Sequence, residues 1–228
     1  MDRSLGPHTR DEVPARLAAL RERIAAAGGD PSRVTVVAVT KGFGVDAVRA
    51  AVGAGLVDVG ENYAGELAVK MAATSGLGVR WHFLGHVQRN KVRRIAAGVH
   101  LWQGVDRLAA GEEIARRRPG AAVLVQVNLT GAPGRNGCRW EEAPALVEAL
   151  AHLGLEVRGL MGVGPGGDPE AARPLFRRLA ALAADLGLTE VSMGMSGDLE
   201  VAVQEGATMV RVGTALFGPR PEATPARR

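Results

Sequence analysis

Lysine is scarce in this chain: Lys41, Lys70 and Lys91 stand against 25 arginines. A guanidinium, with its pKa above about 12, cannot act as a neutral amine, so a sequence that prefers arginine this strongly is expected to keep some lysines for chemistry. Lys41 is the best placed of the three. It follows the apolar run VTVVAV that starts at Val34, and because strand side chains alternate it shares a face with Val37 and Val39. A lysine there faces either the mouth of a barrel or a helix layer. At a mouth it is partly desolvated, which lowers an ammonium pKa and leaves more of the neutral amine that condenses with an aldehyde to a Schiff base. The alternative is a strand-end lysine that snorkels to solvent.

Two later segments suit an anion. VSMGMSGDLE from Val191 puts Gly194, Ser196 and Gly197 before a helix whose free N–H groups attract negative charge, and MVRVGTALFG from Met209 puts Gly213 and Thr214 where backbone can approach closely. Either alone reads as a plain helix cap; on adjacent loops they suit a phosphate. Arg211 lies two residues before Gly213, on the same side of its strand, so its guanidinium aims into the barrel beside whatever the phosphate anchors, with a structural salt bridge as the alternative.

Other patterns carry less. Gly162, Gly164 and Gly167 in GVGPGG have dinucleotide-fingerprint spacing, but Pro165 breaks the loop and Asp168-Pro169 reads as an N-cap with proline at the first helical position. His82 and His86 have a metal-like spacing across a strand end, where helical i, i+4 logic does not apply. Cys138 is the only cysteine, which excludes an internal disulfide and a cysteine-cluster metal site.

These residues need a frame. After an amphipathic segment from about Thr9 to Ala27, β-branched apolar runs alternate with Ala/Leu/Arg-rich helical stretches. Eight strands are expected: VTVVAV from Val34, VDVG from Val57, VRWHFL from Val79, HLWQGV from His100, AVLVQVNL from Ala122, EVRGLM from Glu156, EVSMGM from Glu190 and MVRVG from Met209. Helical stretches follow the first seven. Short strands, apolar on both faces and alternating eightfold with helices, predict a single (β/α)₈ TIM barrel of the α/β class with an extra N-terminal helix. The barrel is expected over about 30–220, within a single domain spanning 1–228, with a flexible tail over 219–228. Polar residues collect at the strand ends (Lys41, Glu61-Asn62, His82, Asn128, Ser196, Gly213-Thr214), where such a barrel carries its active site.

Composition removes other classes. The net charge of +4 and pI near 9.9 come from basic residues scattered beside acidic ones, and aromatics are too few for base stacking, so no nucleic-acid partner is expected. No apolar run is long enough to span a bilayer, and the charged N-terminus is no secretory signal. A cytoplasmic monomer is the expectation.

The stretches VAVTK, VGENY, WHFLGHVQRNK, GLM, VSMGMSGD and VRVGTALFG, in order from Val34 to about Arg220, resemble the pyridoxal phosphate homeostasis protein family, the YggS type. The resemblance implies a barrel similar to the N-terminal domain of alanine racemase, with pyridoxal 5′-phosphate as a Schiff base on Lys41. It further implies that Ser196, Gly213 and Thr214 hold the phosphate, that Arg211 faces the pyridine nitrogen, that Asn62 lies beside the ring, and that Met193 and His82 line the pocket. The chain departs from the family pattern at Thr40, Val59, His86-Val87 and the loop TGAPGRNGC, where Ala132 and Arg135 replace the usual acid and lysine; any role of that loop is in doubt.

An arginine at the pyridine nitrogen disfavours its protonation and weakens the ring as an electron sink. A racemase also needs a second base, and Tyr63 is the only tyrosine. The expectation is therefore a carrier that keeps the free aldehyde low and releases it to apo-enzymes. The alternatives are a weak amino-acid racemase or lyase, and a cofactor-free aldolase using Lys41.

Overall fold

In the computed structural model, Leu5 and residues 7–219 are described. Eight parallel strands close into a barrel in sequence order. They are β1 (Thr35–Val39), β2 (Asp58–Glu61), β3 (Arg80–Phe83), β4 (Val99–Val105), β5 (Ala122–Val127), β6 (Glu156–Gly162), β7 (Glu190–Ser192) and β8 (Met209–Val212). The helices are α1 (Pro7–Ala26), α2 (Val45–Gly53), α3 (Ala64–Ala73), α4 (Arg89–Ile95), α5 (Leu108–Arg117), α6 (Ala143–His152), α7 (Arg173–Asp185), α8 (Leu199–Gln204) and α9 (Thr214–Phe217). The (β/α)₈ reading is thus correct. The expected flexible tail lies, beyond Pro219, outside the described residues.

The period-2 pattern sorts the side chains into two layers. Along β1, Val36 and Ala38 pack outward under the helices while Val37 points to the barrel axis. Val37 meets Leu101, Ala122, Leu124, Met161 and Met209 in an interior plug, the filled barrel centre that closure of eight strands demands. The outer layer is larger, with Trp81, Trp102, Ile114, Leu150 and Phe176 buried between strands and helices. At Gly159 a side chain would overlap the Glu190 carbonyl of the neighbouring strand, so β6 and β7 approach as they do only over a glycine.

Two elements differ from expectation. β7, expected to run through Met195, ends at Ser192, because Gly194 takes φ +88° and turns the chain out of the sheet. The eighth helix is a single turn, α9, and α1 packs against α2, α8 and α9, so the N-terminal helix covers the place where a full eighth helix would lie. Val13, Leu17, Leu20 and Ile24 of α1 are buried there, and Arg23 bonds the Glu200 carboxylate at 2.6 Å and the Ser196 carbonyl at 3.1 Å.

Leu124 is fully buried in the interior plug, between strands that cannot move together without breaking the closed sheet. We expect Leu124→Ala to cost about 2–5 kcal/mol, read as a lower midpoint of urea unfolding at unchanged slope; an unchanged midpoint would mean that the plug does not bear on stability.

Candidate functional site

The C-terminal ends of the strands surround a cavity of about 800 Å³. Lys41, Asn62, Ser196, Arg211, Gly213 and Thr214 all line it, together with Lys91, Gln126 and Met161. Six of the eight residues singled out from the sequence therefore meet in one space, although they come from four different strand ends. Tyr63 and Met195, both largely exposed, stand at its rim. Two buried oxygens at the cavity, Asn62 Oδ1 and Gln126 Oε1, have no hydrogen-bond partner among the described residues. A buried acceptor left unmatched is costly, and a ligand donor is the usual remedy.

Lys41 is held from behind. Its neighbours Thr40 and Gly42 form the turn after β1, where the Phe43 amide donates to the Thr40 carbonyl at 3.0 Å. The same carbonyl accepts from Lys70 Nζ at 2.8 Å, and Glu66 accepts from the Gly42 amide at 3.0 Å. Lys70, only 3% exposed, forms a close ion pair with Glu61, which is 0% exposed and also accepts from the Thr40 hydroxyl at 2.8 Å. Burial pushes the Glu61 carboxyl up despite the opposing charge of Lys70. That is the behaviour of a pair whose desolvation outweighs its attraction. Sequence reading missed Lys70 and Glu61 as supports; the signal available was the scarcity of lysine, since two of the three line the cavity and the third clamps the turn that presents Lys41.

The floor is Arg211. Its guanidinium donates to Ser192 Oγ at 2.7 Å and to the Gly162 carbonyl at 2.8 Å. Among the described residues no carboxylate lies within salt-bridge distance of it, so the salt-bridge alternative falls. Burial draws its pKa down to about 10, against the pull of Asp198, and it stays a cation at neutral pH. Ser192 donates in turn to Gln103, and beneath that His82 lies between Gln103 (2.8 Å) and Asp58 (3.0 Å).

Two expectations need correction. His82 does not line the cavity: it is on the barrel axis, but one layer lower, bonded through both ring nitrogens to Gln103 and Asp58. Met193 is also outside it. With Ser192 pointing to the axis, alternation turns Met193 into the layer beneath the helices.

The loops hold together across strands. Ser196 Oγ accepts from the Ala215 amide at 3.2 Å, joining the two loops expected to suit an anion. Arg135 donates to the carbonyls of Gly164 and Pro165, each at 2.9 Å, so the divergent loop after β5 is tied to the GVGPGG segment. That segment ends as expected, with Asp168 capping the Pro169–Ala172 turn. His86 pairs with Asp106, and among the described residues no three His, Cys, Asp or Glu side chains group to hold a metal. Burial pushes the Cys138 thiol up to about 12, which leaves it unreactive. None of the helices of the described residues is long and apolar enough to cross a membrane.

A closed parallel barrel with a lysine on the first strand end and an arginine on the last defines a class. The family described as alanine racemase, N-terminal domain, matches residues 15–221. A protein of Pseudomonas aeruginosa named pyridoxal phosphate homeostasis protein is 45% identical, over 93% of this chain and 96% of its own. Two structures of PipY from Synechococcus elongatus are similar. The one without pyridoxal phosphate has a TM-score of 0.82 at 35% identity, over 90% of this chain and all of that one. The one with pyridoxal phosphate bound has 0.76 at 34%, over 87% and all of that chain. The chain belongs to the pyridoxal phosphate homeostasis protein family, within the alanine racemase N-terminal-domain class.

Two outcomes are expected from this geometry. Lys70→Met leaves Glu61 buried and alone, at a cost of about 3–5 kcal/mol in urea unfolding, and adding Glu61→Leu recovers most of it; additive losses would show that the two do not act as a pair. For Asp58, burial pushes the carboxyl up, but the hydrogen bonds from His82 and Arg80 and the Arg80 charge hold it at about 2. A depressed carboxyl contributes stability that is present above its unfolded value of 3.8 and is lost as pH falls through about 2. Unfolding midpoints of wild type should drop over that window, and those of Asp58→Asn less steeply; parallel curves would acquit Asp58.

Proposed function

We propose that the cavity binds pyridoxal 5′-phosphate, attached through Lys41, and that the protein serves cofactor homeostasis as a carrier rather than as an enzyme of robust turnover. The observation that carries this reading is the meeting of Lys41, Arg211, Asn62 and the Ser196 and Gly213-Thr214 loops around one cavity. The donor set fits the group. An amine and a guanidinium line the same cavity, the two loops beside them are joined by Ser196 and Ala215, and Asn62 Oδ1 is an acceptor unmatched among the described residues.

When bound, the cofactor would supply an aldehyde open to reversible attachment by an amine, and Lys41 Nζ would be the group that holds it. Lys41 is the attacking amine and the tether. The Thr40–Phe43 turn and its Lys70–Glu61 clamp orient it. Ser196, Gly213 and Thr214 hold the phosphate, and Asn62 lies beside the ring. Arg211, oriented by Ser192 and the Gly162 carbonyl, would face the pyridine nitrogen. A cation there keeps a proton off that nitrogen, which weakens the ring as an electron sink and disfavours amino-acid chemistry. The exposed Tyr63 and Met195 are among the residues that line the cavity, which suits release. Apo-enzymes that need the cofactor are the recipients, and we place the protein in the cytoplasm as a monomer.

The test is a visible spectrum of purified wild type and Lys41→Ala with added pyridoxal phosphate, followed by borohydride reduction and peptide mapping. A yellow band in wild type alone, with the reduced pyridoxyl group on Lys41, is the expected result. A colourless wild type that takes up none would overturn the binding proposal, and steady turnover of an amino acid would overturn the carrier reading.

A further inference from the structure

The barrel axis carries a continuous line of hydrogen bonds from the cavity floor to the opposite face. Arg211 Nη1 donates to Ser192 Oγ (2.7 Å), Ser192 Oγ donates to Gln103 Oε1 (2.7 Å), Gln103 Nε2 bonds His82 Nδ1 (2.8 Å), and His82 Nε2 bonds Asp58 Oδ1 (3.0 Å). Arg80 closes it from outside, donating to Asp58 at 2.8 Å. The residues come from β8, β7, β4, β3 and β2, and each of Arg211, Ser192, Gln103, His82 and Asp58 is buried.

The two ends of this line have fixed roles. Arg211 is a cation with no lone pair to offer, and Asp58 is a carboxylate that can only accept. From the top, Ser192 accepts from Arg211 and passes its own proton to Gln103 Oε1. Gln103 must take that proton on its oxygen, which turns its NH₂ towards His82. His82 must then accept at Nδ1 and carry its single proton on Nε2, which is what Asp58 requires from below. Reasoning from either end gives the same direction, and the one side chain that converts acceptor into donor midway is Gln103, 0% exposed. The other charged or titratable groups facing His82 are His100 from β4, at a ring separation of 5.8 Å, and Glu190 from β7. Neither bonds a His82 ring nitrogen.

We propose that Gln103 is a positioning residue for ligand binding: through Ser192 it fixes the Arg211 guanidinium under the cofactor, and through His82 it ties that orientation to Asp58 at the far end of the barrel. The ligand side of this proposal rests on the pyridoxal phosphate reading above; the direction of the chain does not. Removing the Gln103 amide frees the Ser192 hydroxyl to turn, which loosens the hold on Arg211 and weakens binding about tenfold.

Two measurements test it on the intact protein. The first needs no ligand: histidine ring ¹⁵N spectra near neutral pH, with His82 identified through His82→Gln. The expected pattern is neutral His82 protonated at Nε2, changing to the doubly protonated ring in Gln103→Glu, whose carboxylate can no longer donate to Nδ1. An Nδ1–H or doubly protonated ring in wild type overturns the proposal. The second is titration with pyridoxal phosphate, followed by its absorption and fluorescence. Gln103→Met and Ser192→Ala should each bind about tenfold more weakly with a shifted band, while Ser192→Thr, which keeps the hydroxyl, should match wild type. Wild-type affinity in both of the first two variants overturns the proposal. If wild type itself binds no pyridoxal phosphate, the function proposed above fails, and the histidine spectra alone decide the direction of the chain.

Discussion

Every second side chain of a closed parallel barrel points at the axis, where water cannot reach and the neighbouring strands cannot withdraw. That constraint is met here in two ways. Val37, Leu101, Leu124, Met161 and Met209 fill part of the axis with apolar volume. Five other inward positions carry Asp58, His82, Gln103, Ser192 and Arg211, polar groups in which each satisfies the next. A single apolar replacement on that line would strand two partners rather than one. The plug and the line together explain why the cavity has a rigid floor.

The same constraint separates the two faces of the barrel. On the closed face, Arg80 and Asp58 form an ion pair at the water boundary, and His100, Arg158 and Glu190 crowd nearby. On the open face, the strands end in Lys41, Asn62, Ser196, Gly213 and Thr214, polar groups and glycine backbone that line the cavity. Surface charge elsewhere is mostly short-range arginine pairing, such as Arg173 and Arg177 on Glu205, worth little individually and remote from the cavity.

Much of this could be read from the chain. Apolar runs of strand length, punctuated by helical stretches, imply the barrel without coordinates, and alternation from Val37 and Val39 carries Lys41 to the mouth. Alternation also shows where the reading of individual residues failed. Met193 was assigned to the pocket by its place in a motif, yet with Ser192 on the axis it has to face the helices. His82 is inward as its strand requires, but depth along the axis depends on the register of β3 against β2 and β4. No local pattern encodes that register. The line from Arg211 to Asp58 joins residues up to 153 positions apart in sequence, so it emerges only once the barrel has closed.

Lys70 shows how composition can carry information that motifs do not. Its ammonium meets the Thr40 carbonyl, Glu61 and Glu66 from one compact point, a geometry that a planar guanidinium cannot copy in the same volume. In a chain otherwise committed to arginine, a lysine persists where size or an uncharged form is required. At Lys41 an uncharged form suits the proposed attachment; at Lys70 the requirement is size. The two explanations differ, yet both converge on one turn, because an amine that must reach a fixed point in the cavity needs a backbone that does not drift, and only a buried anchor behind the sheet can supply that.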